Sequence, residues 1–404
     1  MSEWKEYKLG DVATKIISGG TPKSSVPSYY DGHIPWLNTK EVNFNRITRT
    51  ERCISELGLE NSSAKWIPKS AVIVAMYGAT AGKVAFSKID LTTNQACCNL
   101  IINKEKADAE FVYYALMSEY DRLTNLACGA AQQNLSVGVI SDFSVLLPPI
   151  EEQKQIAGVL SSLDDKIDLL NRENATLEAL AETLFRHYFI ENPDLTWKEG
   201  KLGDYVIETI GGEWGKETPE EEYNMPVRCL RGADVADLND GLARRTPLRY
   251  IKRSKYDKIE PHSGDIILEI SGGTDTYSTG RVTYINDDVK RLFDYPIVFS
   301  NFCRLLRVDE RYSFFIYCFF RYLHKQGDFF NLENGSSGIH NLDYKALLFD
   351  LTYDMPKDNS YFTEFTKKVT PYYKKINKNK RQIQILMQTR DSLLPRMMSN
   401  VVTI

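Results

Sequence analysis

The sequence has no long hydrophobic run. Its most apolar stretches, Ala71–Met76 and Phe314–Phe320, are far shorter than the roughly 20 residues a membrane helix needs, so a membrane span is not expected. The opening Met1-Ser2-Glu3-Trp4-Lys5-Glu6 has no apolar core and does not read as a secretory leader. Cysteine is sparse and odd in number: seven residues, scattered, with no CxxC pair. Neither a disulfide framework nor a zinc cluster is expected from that, and the five histidines are isolated too. Basic excess is also missing. Lys plus Arg is 50 and Asp plus Glu is 54, a net charge of −4, which at whole-chain scale argues against a nucleic-acid partner. A cytoplasmic protein fits these absences. What remains is an ordinary globular composition over 404 residues, enough for two to four domains at about 100–200 residues each.

The chain repeats itself. Trp4-Lys5-Glu6-Tyr7-Lys8-Leu9-Gly10-Asp11 returns 193 residues later as Trp197-Lys198-Glu199-Gly200-Lys201-Leu202-Gly203-Asp204, identical at seven of eight positions. The same offset carries Ile17 onto Ile210, Gly19 onto Gly212, Leu37 onto Leu230 and Pro68 onto Pro261. Gly82-Lys83-Val84 answers Gly280-Arg281-Val282, and Asn134-Leu135 answers Asn341-Leu342, so the second copy has grown by 14 residues. Each copy opens with a mixed segment, residues 1–150 and 196–356. Short β-branched or aromatic runs (Ala71–Val74, Asp265–Leu268, Arg281–Ile285) are punctuated there by Gly, Pro, Asn and Ser. Helices are expected at Ala109–Tyr120 and Tyr312–His324. Each such segment reads as an α+β globule.

A long helix closes each copy, over residues 151–195 and 357–404. In the first, Ile156, Leu160, Leu163, Ile167, Leu170, Asn174, Leu177, Ala181 and Leu184 follow 4,3 spacing, the seam of a coiled coil. About 40 residues at 1.5 Å each span about 60 Å. An offset of 209 places that seam on Phe365, Val369, Tyr372, Ile376, Asn379, Ile383, Leu386, Arg390 and Leu393. Pro371 is expected to kink or delay the second helix. Charge separates the two: residues 151–195 carry net −6 and residues 357–404 net +7. Helices of this kind repel their own copies and attract each other, which predicts one intramolecular antiparallel coiled coil. Asn174 and Asn379 on the seam can fix its register.

Catalytic motifs fail on inspection. Gly78-Ala79-Thr80-Ala81-Gly82-Lys83-Val84 is one residue short of a phosphate-binding loop and lacks its Ser or Thr, and the second copy has Arg281 for the lysine. A Gly-rich turn presenting a cation to DNA phosphate fits better. Pro193-Asp194 with Glu199-Gly200-Lys201 is too closely spaced for a nuclease metal site, and Asn192-Pro193-Asp194-Leu195 lacks the end of an adenine-methyltransferase motif. No nucleophile set repeats in both halves, so no cofactor, metal or catalytic residue is expected. Polar loops, in contrast, occur in both copies. Thr21, Lys40, Asn43, Arg46, Lys83, Gln132 and Gln133 are the candidate DNA contacts of the first. Arg231, Arg244, Arg245, Lys252, Arg253, Arg281, Ser337 and His340 are those of the second, where residues 244–258 hold seven cations interleaved with Tyr250 and Tyr256.

These residues lead to a family. The doubled Trp-Lys…Leu-Gly-Asp, Ser18-Gly19-Gly20-Thr21-Pro22, Ile34-Pro35-Trp36, Asn94-Gln95 and the run from Leu147-Pro148-Pro149-Ile150-Glu151-Glu152-Gln153 to Ala157 resemble the specificity (S) subunit of type I restriction-modification enzymes. So does the closing Leu393-Leu394-Pro395-Arg396-Met397-Met398-Ser399, while the second copy replaces the Pro-Pro-Ile-Glu-Glu-Gln run with Met355-Pro356-Lys357-Asp358. The resemblance implies two target-recognition domains in pseudo-two-fold repeat, joined by the two long antiparallel helices. It implies that each domain reads half of a bipartite, asymmetric site in double-stranded DNA. The helices would act as a ruler and as the dock for two methyltransferase subunits, with motor-nuclease subunits joining them. Catalysis would then belong to the partners. A stand-alone DNA-binding regulator or anti-restriction decoy of the same fold is the alternative, and an enzyme the third class.

Overall fold

The computed structural model describes residues 4–128, 134–239, 246–273, 277–334 and 340–399. The chain divides into two compact units, residues 1–165 with 388–404 and residues 166–387, so the division falls inside both long helices.

In the first unit a five-stranded sheet runs in the order Ala13–Ser18, Cys97–Ile102, Val72–Ala75, Val84–Ser87, Asn45–Ile47. Val72–Ala75 is buried on both faces, which suits a continuous β-branched run better than alternation. A second sheet orders Arg52–Ile54, Ile34–Leu37 and Thr92–Thr93, with one antiparallel and one parallel pairing. Lys5–Lys8 pairs antiparallel with Ser144–Leu147, tying the start of the domain to its end. The helix Ala109–Ser118 is capped by Asp108, whose carboxylate accepts from the Phe111 amide at 2.9 Å. Its Phe111, Val112 and Leu116 join Val72, Val74 and Leu100 in one core.

The second unit repeats this plan with different side chains. Its main sheet orders Val206–Gly211, Cys303–Val308, Ile266–Glu269 and Val282–Tyr284. Its second sheet orders Leu248–Ile251, Met225–Leu230 and Ile297–Phe299, again one antiparallel and one parallel pairing. Lys198–Gly200 pairs with Tyr353–Met355 as the closing ribbon. Asp309 caps the helix Glu310–Gln326. A further sheet of Ser271–Gly273, His340–Leu342 and Glu333–Asn334 has no counterpart among the described strands of the first unit. The repeated glycine has one physical cause in both places. A Cβ on Gly19 would lie 2.1 Å from the Thr93 carbonyl oxygen, and one on Gly212 would lie 2.2 Å from that of Phe299. Only glycine lets these two backbones meet.

The long helices are Ile150–Phe189 and Ser360–Met398. The Gln153 of the Pro-Pro-Ile-Glu-Glu-Gln run is buried: its amide donates to the Pro148 carbonyl at 2.8 Å and accepts from the Asp108 N–H at 2.9 Å, locking helix start to domain. Pro371 does not delay the second helix, which starts eleven residues upstream and continues through it, with the ring exposed.

Within the second unit the two helical stretches pair antiparallel. Phe189 stacks on Phe362 with centroids 5.5 Å apart, Asn379 donates to Asn174 at 2.9 Å, and Ile167 and Leu170 pack with Ile383. Glu173 pairs with Lys375 at 3.3 Å, acid helix to basic helix. In the first unit Ile156 and Leu160 share a core with Leu394 and Met397, and Arg390 donates to Asp164 at 2.7 Å. Asp164 also accepts from the Tyr114 hydroxyl at 2.6 Å.

Of the expected seam, Ile156, Leu160, Ile167, Leu170, Asn174, Val369, Ile376, Asn379 and Ile383 are buried. Leu163, Leu177, Leu184, Tyr372, Leu386 and Leu393 are only half-buried. Asp164, Phe185, Tyr373 and Leu394, one position on from four of these, are buried instead. A 3.6-residue helix drifts about 20° per heptad from a strict 3.5 repeat, and each helix also packs on a globular domain. The buried stripe therefore widens and slides.

Candidate nucleic-acid interface

The first unit places Lys83 just after a tight turn, Gly78–Thr80, with Gly78 and Gly82 both left-handed at φ 73° and 79°. Its ammonium donates to the Asn43 side-chain oxygen at 2.8 Å. Asn43 is exposed, and Phe44 beside it is left-handed at φ 54°, held by the Val84 carbonyl and an edge-on contact with Tyr120. Two sequence candidates, Asn43 and Lys83, are thus brought together. Thr21 is exposed and bonds the Gln95 side chain, while exposed Lys40 pairs with Glu51.

Arg46 is corrected. Its side chain is 3% exposed and lies between Asp165 at 2.7 Å and Glu110 at 3.3 Å. It fastens the sheet edge to the long helix and cannot reach a phosphate without leaving two carboxylates behind.

In the second unit each described cationic candidate faces an acid. Arg281 forks onto Glu269, which is 1% exposed at the end of its strand. Arg231 makes a two-pronged pair with buried Asp234 at 2.9 and 3.0 Å. His340 sits 2.8 Å from the Glu333 carboxylate. Lys252 is bonded to Glu222 and Arg253 to Asp257 at 2.9 Å. Gln132, Gln133, Arg244, Arg245 and Ser337 lie outside the described residues.

Sequence reading missed Glu269, at the end of an apolar strand, and Glu333, after a short turn, because nothing local marks either side chain as buried. It also missed Trp214, whose ring lies 4.3 Å from the Arg249 guanidinium. The described cysteines are free thiols, and burial pushes those of Cys97, Cys98 and Cys229 up to about 12, so these three are not thiolates near neutrality. Among the described residues no helix is long and apolar enough to cross a membrane.

Residues 1–179 match the family described as Type I restriction modification DNA specificity domain. The chain is 27% identical over 425 aligned residues to the Type I restriction enzyme MjaIX specificity subunit of Methanocaldococcus jannaschii, spanning 98% of this chain and 92% of that one. It is 27% identical over 253 residues to the HindI specificity subunit of Haemophilus influenzae, spanning 58% and 53%. A crystal structure of the S subunit of a type I restriction-modification system from M. genitalium superposes with a TM-score of 0.55 at 17% identity, over 98% of this chain and 96% of that one, and so shares the fold. Domain content and fold define a DNA-specificity protein. Residues 1–179 match a DNA specificity domain of type I restriction modification, and over nearly its whole length the chain is similar to a specificity subunit of such an enzyme.

Proposed function

We propose that each unit reads one half of a bipartite, asymmetric DNA site, and that the paired helices fix the unspecified gap between the halves. The observation that carries this is the repetition of one fold with non-equivalent polar side chains: Lys83 with Asn43 in one copy, Arg281 with Glu269 in the other. Phosphate contacts position such a domain and base-edge contacts specify it, so two differently furnished copies read two different half-sites.

The chain supplies the choice of sequence. Two methyltransferase subunits dock on the helices and domains, motor-nuclease subunits join them in the cytoplasm, and the partners carry the chemistry. Co-expression with the methyltransferase partner, followed by genome-wide mapping of methylated adenines, tests this. Two short motifs separated by a fixed unspecified gap are expected. One continuous palindrome, or no motif, overturns it.

A further inference from the structure

The cationic strand and helix of the second unit, residues 248–258, hold five bases against one acid, net +4. Residues 213–223 hold five acids against one base, net −4. The fold lays one on the other. Lys216 and Tyr250 exchange backbone hydrogen bonds at 2.9 Å each way, and Gly215, left-handed at φ 71°, lets the segment approach the Tyr250 carbonyl. Arg249 then pairs with Glu217 at 3.0 Å, Lys252 with Glu222, and Lys255 lies 3.9 Å from Glu213. The aromatic rings on the segment serve the same cations: Trp214 stacks on Arg249, and Tyr223 lies 5.1 Å from the Lys252 ammonium. The bond from Lys252 holds the Glu222 carboxyl below its usual range, so it is charged wherever DNA is bound. Glu217 and Glu222 are 80% and 71% exposed. The Lys252–Glu222 pair is accessible on both sides, contributes little to stability and exchanges readily with another anion, whereas the Arg249 side chain is only 12% exposed beneath Glu217 and Trp214.

We infer that the face formed by Arg249, Lys252 and Lys255 is a phosphate-backbone contact surface, and that the carboxylates of Glu213, Glu217 and Glu222 cover it as a displaceable strap. This rests on the DNA-reading function proposed above and deepens it. The strap stands where a duplex backbone would lie, so any duplex must displace three carboxylates before these cations neutralise phosphate. Non-specific binding is suppressed by that exchange. A site that also gains base contacts recovers the loss.

The test uses the full-length chain and a fluorescein-labelled duplex of random sequence, followed by anisotropy over a salt series. Glu213→Gln/Glu217→Gln/Glu222→Gln should bind roughly tenfold tighter or more near 0.15 M salt, with a slope of log affinity against log salt steeper by about two, since Lys252 and Lys255 each add about 0.9 and Arg249, only 12% exposed, adds less. Adding Lys252→Gln/Lys255→Gln should reverse most of the gain. Glu217→Gln alone, at the most exposed of the three positions, should show a smaller shift of the same sign and guards against misfolding of the triple variant. Equal affinity and slope in wild type and variants overturns the strap and leaves the DNA reading intact. A gain that survives loss of both lysines overturns the assignment to these cations. Binding by neither protein overturns the DNA reading itself, and the strap with it.

Discussion

The two units share the order of four main-sheet strands, their pairing directions, the closing ribbon and helix placement, yet the cations at matching positions have different partners. In the first, Lys83 leans on a neutral amide, and Ala75 occupies the strand end that Glu269 occupies in the second. Residues 20–30, which the repeat aligns with the acidic strap, contain Lys23 and no acid. In the second unit Arg231, Lys252, Arg253, Arg281 and Arg249 each meet a carboxylate. The pattern inverts on the helices. The first unit buries an ion pair, Asp164 with Arg390, where the second has Tyr373 and Ala181 in an apolar cluster. The lesson is that a duplicated scaffold keeps its backbone contacts and lets its charges diverge, because strand pairing depends on main chain and apolar pattern whereas ion pairs can be added or removed one partner at a time.

The largest expected break in this comparison is Arg390→Ala. It leaves Asp164 buried without its cation and should cost about 3–5 kcal/mol by urea unfolding. Tyr373→Phe, at the position of the second unit matching Asp164, removes only the 3.5 Å contact between its hydroxyl and the Cys318 thiol and should cost about 1 kcal/mol or less. Similar losses for the two would show that the seams are energetically alike. Next comes Asp309→Ala, which removes a helix cap at about 1 kcal/mol at neutral pH. Hydrogen bonds from the Arg311 side chain and amide hold the Asp309 carboxyl down to about 2, below the ordinary aspartate value near 3.9. A carboxylate depressed in the native state contributes fully above its unfolded pKa. The gap between wild type and variant should therefore be constant above about pH 4 and vanish as pH falls through 2. A gap that persists at pH 1.5 would mean the cap acts without its charge. The smallest effects are on DNA binding. Lys83→Ala should flatten the salt slope by about 0.9, while Lys252→Ala, already paired with Glu222, should flatten it less. Equal changes would erase the contrast between an open and a covered site.

Much of the fold was legible because it is written locally. The doubled opening motif, the β-branched runs at 71–74 and 265–268, and a long helix within 151–195 all rest on short-range pattern, and the structure has strands at Val72–Ala75 and Ile266–Glu269 and a helix at Ile150–Phe189. Opposite helix charge and matched Asn174 and Asn379 pointed to the pairing that is present. Arg390 fell on the expected seam, but its partner Asp164 did not, because heptad counting assigned that place to Leu163. The candidate interface was far less legible. Arg46 has the same sequence character as Arg49 or Arg52, and only the fold puts it between Glu110 and Asp165. Whether Arg46, Arg249 or Lys252 is open or covered is a long-range fact, set by acids tens of residues away.

The pairing of Asp164 with Arg390 spans 226 residues of sequence. Synthesis proceeds at about 5–20 residues per second, so the first long helix waits about 10–45 s on the ribosome for the strand of chain that will cover it. Through that interval Ile156 and Leu160 lack Leu394 and Met397, and the Asp164 carboxylate has Tyr114 but not its cation. Without residues 388–404 the first unit would lack Leu394 and Met397 against Ile156 and Leu160 and the Arg390 guanidinium against Asp164.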